Sequence, residues 1–281
     1  MMALFEMFQF GFGRDAMWVG TMVAAVCAVL SCFLVLKGWS LMGDAVAHAV
    51  LPGIVLAYIA GVPLAIGAFG AGLMCSVGTG FIRQNSRVKE DTVMGVVFTG
   101  MFAFGLVLFS RTPSDMHLDH ILVGNILGIT DAQFVQTMWL GGAVLLITLL
   151  MRRDLLLICF DPMQARVMAL RDRMLGLLLL CLLSMAIVAS LQAVGIILVV
   201  AMLVTPGSIA YLWTDRFDRM LIIAVVAAVL STWFGIWISF QLALSHDLRI
   251  STSGCIVLTQ ALLFVFSLLG APKYGLLARR T

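Results

Sequence analysis

A bilayer's hydrocarbon core takes roughly 20 residues of helix to cross, and apolar stretches near that length recur along this chain. Nine are candidates: 16–36, 41–60, 63–82, 92–110, 134–151, 174–190, 191–204, 219–243 and 253–270. Backbone polar groups find no water in lipid, so each stretch reads as a helix. The expected fold is all-α, a polytopic membrane protein of eight or nine transmembrane helices. Two places hold the count open. Pro52-Gly53 interrupts the second stretch, and the sixth and seventh have only Gln192 between them, as a broken or re-entrant helix would.

Composition agrees. Of 281 residues, 62% are hydrophobic and 11% charged, which excludes an ordinary soluble domain. The longest polar stretch, Arg152 to Arg173, has the length of a short amphipathic helix and not of a domain, so residues 1–281 read as a single transmembrane domain. The first stretch is long enough to span and has no small-residue cleavage site behind it, so it reads as a retained helix, not a signal peptide. Cys27, Cys32, Cys75, Cys159, Cys181 and Cys255 form no CxxC and fall mostly in apolar runs, as small core residues do.

The basic residues set an orientation. An alternating nine-span path puts all but Arg14, Arg111 and Arg249 on one side, and Lys and Arg favour the cytoplasm. The N-terminus is then outside and the C-terminus inside. The loop 112–131 faces outside and carries Asp115, His117, Asp119, His120 and Asp131 with no Lys or Arg.

Asp44 and His48 are the strongest chemical signal, because they stand in an otherwise apolar segment, GWSLMGDAVAHAVLPG. An ionisable group at membrane depth costs about 2.5 to 3.5 kcal/mol, so it normally has a partner and a task. At i,i+4 the two share a helix face one turn apart, near enough to hold one cation. A carboxylate with an imidazole suits Mn(II), Fe(II) or Zn(II), where a Cys/Met set would suit Cu(I). A capping Asp, or an Asp–His pair kept for structure alone, would put the same residues here, and the motif by itself leaves both open. Two ligands do not saturate a metal; a two-fold dimer of permeases would bring two pairs together. Because the ligand form of imidazole is neutral, ion binding is expected to weaken as pH falls through the imidazole range.

The blocks SLMGDAVAHAVLPG, VKEDTVMGVVFTGMFAFGLVLFS, DHILVGNILGI, FDPMQARVMAL, VGIILVVAMLVTPGSIAYLWTDRFDRM and PKYGLL occur in order from Ser40 to Leu277, within a similarity that runs from about Leu34. Together they resemble the metal-ion family of ABC importer permeases for manganese, zinc and chelated iron. The resemblance implies a type II importer architecture in the bacterial cytoplasmic membrane. It implies Asp44 and His48 as ligands of an ion in transit, with no cofactor held permanently. The implied partners are a separate ABC ATPase, a second permease copy or a paralogue, and a periplasmic or lipid-anchored metal-binding protein; nucleic acid has no part. It also tips Thr205 to Met220 toward a cytoplasmic coupling element, through Pro206, Gly207, Asp215, Arg216, Asp218 and Arg219, where a charged loop obeying the positive-inside rule would look alike. The segment from Phe160 to Leu170 is a second contact candidate or an interfacial helix.

No Gly-Lys-Ser/Thr occurs, since Lys37, Lys89 and Lys273 lack that setting, so a partner chain must hydrolyse ATP. Asp119 and His120 are candidates for metal gathering or for meeting a binding protein. His117 reads as a solvated loop residue, His246 and Asp247 as structural, and Glu90-Asp91 as acids opening a helix. An intramembrane metalloprotease fails on residues, because His48 is followed by Ala-Val-Leu-Pro and not by Glu-x-x-His. An ATPase-independent carrier would call for matching broken helices, and one break is evident. A permease for an organic chelate is the nearest rival, and the Asp/His pair favours a bare ion. Choice among manganese, iron and zinc lies in geometry and supply, which the sequence leaves open.

Overall fold

The computed structural model describes residues 11–88, 90–111, 126, 128–168, 170–246 and 251–271. In chain order the helices are α1 (Gly11–Lys37), α2 (Met42–Ala60), α3 (Leu64–Asn85), α4 (Glu90–Arg111), α5 (Asp131–Leu150), α6 (Arg152–Phe160), α7 (Pro162–Val167), α8 (Asp172–Val194), α9 (Ile196–Trp213), α10 (Phe217–His246) and α11 (Thr252–Gly270). Among the described residues nine helices are long and apolar enough to cross a membrane, all but α6 and α7. The fold is all-α, as the apolar stretches predict.

Local chemistry sets the turns. Gly61, at φ 67°, ends α2 in the left-handed conformation, and its N–H reaches back to Tyr58 O at 3.2 Å. Pro63 then opens α3. Thr130 and Gln133 cap α5 reciprocally, each side chain accepting from the other's backbone N–H. The centre of the bundle is α1, α8 and α9, where Leu30, Phe33, Leu183, Ile187 and Met202 are fully enclosed. The outer faces stay apolar: Trp139, Leu150, Val96 and Phe266 are all exposed. A surface of this kind is stable in lipid and not in water.

Lipid tails are as apolar as leucine, so helices in a membrane associate through close backbone approach and hydrogen bonds. The α2–α3 crossing shows this. Gly53 and Ala57 on α2 face Gly67 and Ala71 on α3, each pair spaced by four. A Cβ on Gly53 would overlap the carbonyl oxygen of Gly67 and sit 2.6 Å from the Ala71 Cβ; one on Gly67 would overlap Gly53 O and sit 2.6 Å from the Ala57 Cβ. The backbones touch with no side chain between them.

Two expectations from the sequence are corrected. The break at Pro52-Gly53 does not form: α2 runs unbroken from Met42 to Ala60. Pro52 lacks an N–H for the carbonyl of His48 but leaves the helix intact, and its ring packs on α4, where a Cβ on Gly105 would meet Pro52 Cδ at 2.9 Å. Likewise the seventh span does not end at 204. α9 continues through Pro206 to Trp213, leaving Thr214 to Arg216 as the link to α10. The reason is a hydroxyl from α1: Ser31 Oγ accepts from Gly207 N at 3.0 Å and donates to Val204 O at 3.4 Å, inside a contact too close for any side chain on residue 207. The sixth and seventh stretches are separate helices, α8 and α9, joined by Gly195 alone at φ 82°.

The ends of α1, α6 and α9 and the start of α10 meet around one cavity of about 390 Å³, lined by Val35, Leu36, Phe160, Tyr211, Thr214 and Phe217 among others. Arg152 and Asp218 pair beside it at 3.1 Å. At the opposite end Ser253 Oγ donates to Val194 O at 3.0 Å, tying the start of α11 to the end of α8. Helix ends therefore alternate between two sides, and the end bearing Lys37, Arg152, Arg153, Arg171 and Arg216 is the arginine-rich one.

Candidate functional site

α2 begins after a short turn, Gly38 to Leu41, in which Lys37 Nζ lies 4.1 Å from the centre of the Trp39 ring. The N-cap position is Leu41, whose side chain makes no cap, and Asp44 stands in the first helical turn, where the helix dipole favours a carboxylate. One turn on, His48 Nε2 lies 3.3 Å from Asp44 Oδ1. Two ligands each about 2.1 Å from a divalent ion are roughly 3.0 to 3.4 Å apart, so the spacing fits one shared ion. Both side chains are partly open, His48 at 29% and Asp44 at 35%, while Ala45, Ala47 and Ala49 around them are buried. In lipid, an open Asp–His face must meet either a pathway or another protein.

α4 supplies the site's other wall. The His48 ring meets Phe102 edge-on at 5.3 Å between centroids and lies nearly parallel to Phe98 at 6.2 Å. His48 Nδ1 is buried and has no hydrogen-bond partner among the described residues. Among the described residues no group of three or more His, Cys, Asp or Glu gathers, so Asp44 and His48 stand as a pair.

The remaining described candidates lie elsewhere. Asp119 and His120 lie outside the described residues. Pro206 and Gly207, expected in a cytoplasmic loop, are buried inside α9 against Ser31, because a membrane helix accommodates a proline when a neighbour satisfies the freed groups. Asp215 and Arg216 are exposed in the link to α10; Asp218 pairs with Arg152, and Arg219 is exposed one residue on. The structure does not bring these groups to Asp44 and His48.

Sequence reasoning passed over Phe98 and Phe102, although their i,i+4 spacing in an apolar stretch was a readable signal. It also passed over the Gly53/Ala57 and Gly67/Ala71 pairs. The Arg152 to Arg173 segment, expected as one amphipathic helix, is two. Asp161 separates them by capping α7, its Oδ1 accepting from Met163 N and Gln164 N at 2.9 and 3.0 Å. α7 presents Met163 and Val167, 69% and 86% exposed. Beneath it burial pushes the Cys159 thiol up to about 11, with nearby Lys37 pulling the other way.

A bundle of membrane-crossing helices with an ionisable pair opening from one inner helix has the make-up of a membrane transport subunit. The chain belongs to the ABC 3 transport family, which it matches over residues 9–271. It is 54% identical over 264 residues to the chelated iron transport system membrane protein YfeD of Yersinia pestis, covering 94% of this chain and 87% of that protein. To the manganese transport system membrane protein MntB of Synechocystis sp. it is 51% identical over 276 residues, covering 98% and 88%. Its fold is similar to that of PsaBC from Streptococcus pneumoniae in complex with Fab, with a TM-score of 0.87, 34% identity and full coverage of both chains. The protein is thus a membrane-spanning permease subunit of an ABC transporter.

Proposed function

We propose that this permease imports a bare divalent transition-metal ion, manganese, iron or zinc, and that Asp44 and His48 are its ligands on the way through. The observation that carries the reading is the 3.3 Å convergence of a carboxylate and an imidazole that are partly open on a membrane helix. The relatives' names, which speak of manganese and chelated iron, support the ion class. Two donors are too few for any of these metals. A second permease, identical or paralogous, completes the site by presenting its own pair across a two-fold axis.

Residues 1–281 act as a single transmembrane permease domain in the bacterial cytoplasmic membrane, N-terminus outside and C-terminus inside. The arginine-rich end then faces the cytoplasm, and the Asp44–His48 pair sits on that half of the bilayer, within the first two turns of α2. A separate ATPase supplies the energy, and a periplasmic or lipid-anchored metal-binding protein delivers the ion. Of the two cytoplasmic elements, α7 suits ATPase contact better than 214–219, because it is capped into a fixed shape and holds two apolar side chains out in solvent. Asp215, Arg216, Asp218 and Arg219 flank the cavity beside it and form the secondary contact.

Uptake by cells expressing the assembled transporter tests the metal reading. Asp44→Ala and His48→Ala, compared with wild type at equal membrane abundance, should each abolish uptake of manganese, iron and zinc while the ATPase still co-purifies. The order in which the three metals compete names the ion. Normal transport by both variants would place the ion path elsewhere.

A further inference from the structure

A metal-binding histidine is normally aimed by a hydrogen bond at its other ring nitrogen, and loss of that partner costs about 10- to 100-fold in metal affinity. Among the described residues none gives His48 this aid. Its Nδ1 is buried without a partner among them, and Nε2, the atom facing Asp44, belongs to the site itself. The ring is nonetheless enclosed on its buried side by two phenyl groups from a different helix. Phe102 meets it at 78° and 5.3 Å, a T-shaped contact, and Phe98 at 29° and 6.2 Å. Both arrangements are ones aromatic rings prefer.

The register between the helices makes this contact a defined one. Phe98, Phe102 and Gly105 follow one another on the face of α4 turned to α2, and Gly105 abuts Pro52, one turn beyond His48. α4 is thereby held against α2 at the proline, with its two rings reaching back over the imidazole. Swinging about its χ angles would carry Nε2 away from Asp44 Oδ1, and on the α4 side such a swing would disturb both ring contacts.

From this geometry we infer that Phe98 and Phe102 are positioning residues for the ion site: they fix the His48 ring so that Nε2 and the Asp44 carboxylate face one ion. Phe102, the closer ring, carries most of the effect. The inference rests on the reading of Asp44 and His48 as ligands. Its distinctive content is that α4, which contributes no donor atom to the pair, sets affinity for the metal.

The test uses the assembled transporter in proteoliposomes, with manganese as the probe. Phe102→Ala should raise the half-saturating concentration about tenfold, while the maximal rate falls far less. Phe102→Tyr, which keeps the ring, should restore it; Phe102→Leu, similar in bulk without the ring plane, should restore it only partly. Phe98→Ala should show the same effect in smaller measure. A second readout guards against a folding defect: Co(II) titrated into the detergent-solubilised complex should bind Phe102→Ala more weakly and with altered visible absorption, in protein that remains monodisperse. If Phe102→Ala takes up manganese with wild-type half-saturation while His48→Ala is dead, the positioning role is overturned and the metal site stands. If His48→Ala is also normal, the metal-site reading has failed and takes the positioning role with it.

Discussion

Replacing Gly53 with alanine sets a methyl group 2.6 Å from the Ala71 Cβ and closer still to the carbonyl oxygen of Gly67. Ordinary contact begins at 3.4 Å, so α2 and α3 must part by 0.8 Å or more at this point. Rigid backbone lines both sides, so no side chain can rotate away to relieve the overlap. Overpacking of this kind costs about 1 to 3 kcal/mol, and alanine's better helix propensity returns up to about 1 kcal/mol. A net loss of roughly 1 to 2 kcal/mol lowers the folded-to-unfolded ratio about 5- to 30-fold. Gly70→Ala is the control: it lies on α3 one turn from Gly67, but a Cβ there has nothing within 4 Å. Heating detergent-solubilised protein and measuring what stays monodisperse should place Gly53→Ala well below wild type and Gly70→Ala at or slightly above it. The double variant Gly53→Ala/Gly67→Ala should lose less than the sum of the singles, because one separation relieves both overlaps. Equal melting of Gly53→Ala and Gly70→Ala would refute the close crossing.

The arginine-rich end yields two more expectations. Val167→Asp on α7 should leave the permease as stable as wild type, since the residue is 86% exposed, yet weaken ATPase co-purification; undiminished co-purification would shift the coupling role to 214–219. Cys159, pushed from the ordinary 9.0 to about 11 by burial, should resist iodoacetamide at pH 8, where about one thiol in a thousand is ionised, while the unfolded chain reacts readily. Because the folded value is the higher one, the protonated thiol's contribution to stability is complete below about 9 and is lost as pH rises through about 11.

Much of this fold is written in one dimension. Span length and the placement of arginine are local or additive properties, so the helices and the alternation of their ends follow from counting. Asp44 and His48 were legible for the same reason, since two residues a turn apart on one helix need no tertiary knowledge to be put together. What escaped the sequence depends on a second helix. Pro52 and Pro206 look like breaks until Gly105 and Ser31 are seen against them, and Phe98 gains its meaning only where α4 crosses His48. The length of α9 was misjudged because the hydroxyl that steadies it lies on α1, far away in the chain.

The Gly195 joint bears on how the chain enters the membrane during synthesis. One residue between α8 and α9 gives no polar stretch that could rest at the far surface while the second helix waits its turn. The two must be threaded together, as a hairpin whose bend crosses and whose ends stay behind. Both ends carry arginine, Arg171 just before α8 and Arg173 in its first turn, and Arg216 and Arg219 after α9, so in the proposed orientation the same electrostatic preference holds each end on the side of synthesis. An epitope or protease site inserted at residue 195 would have to be carried across by this pair, and would split one insertion event into two.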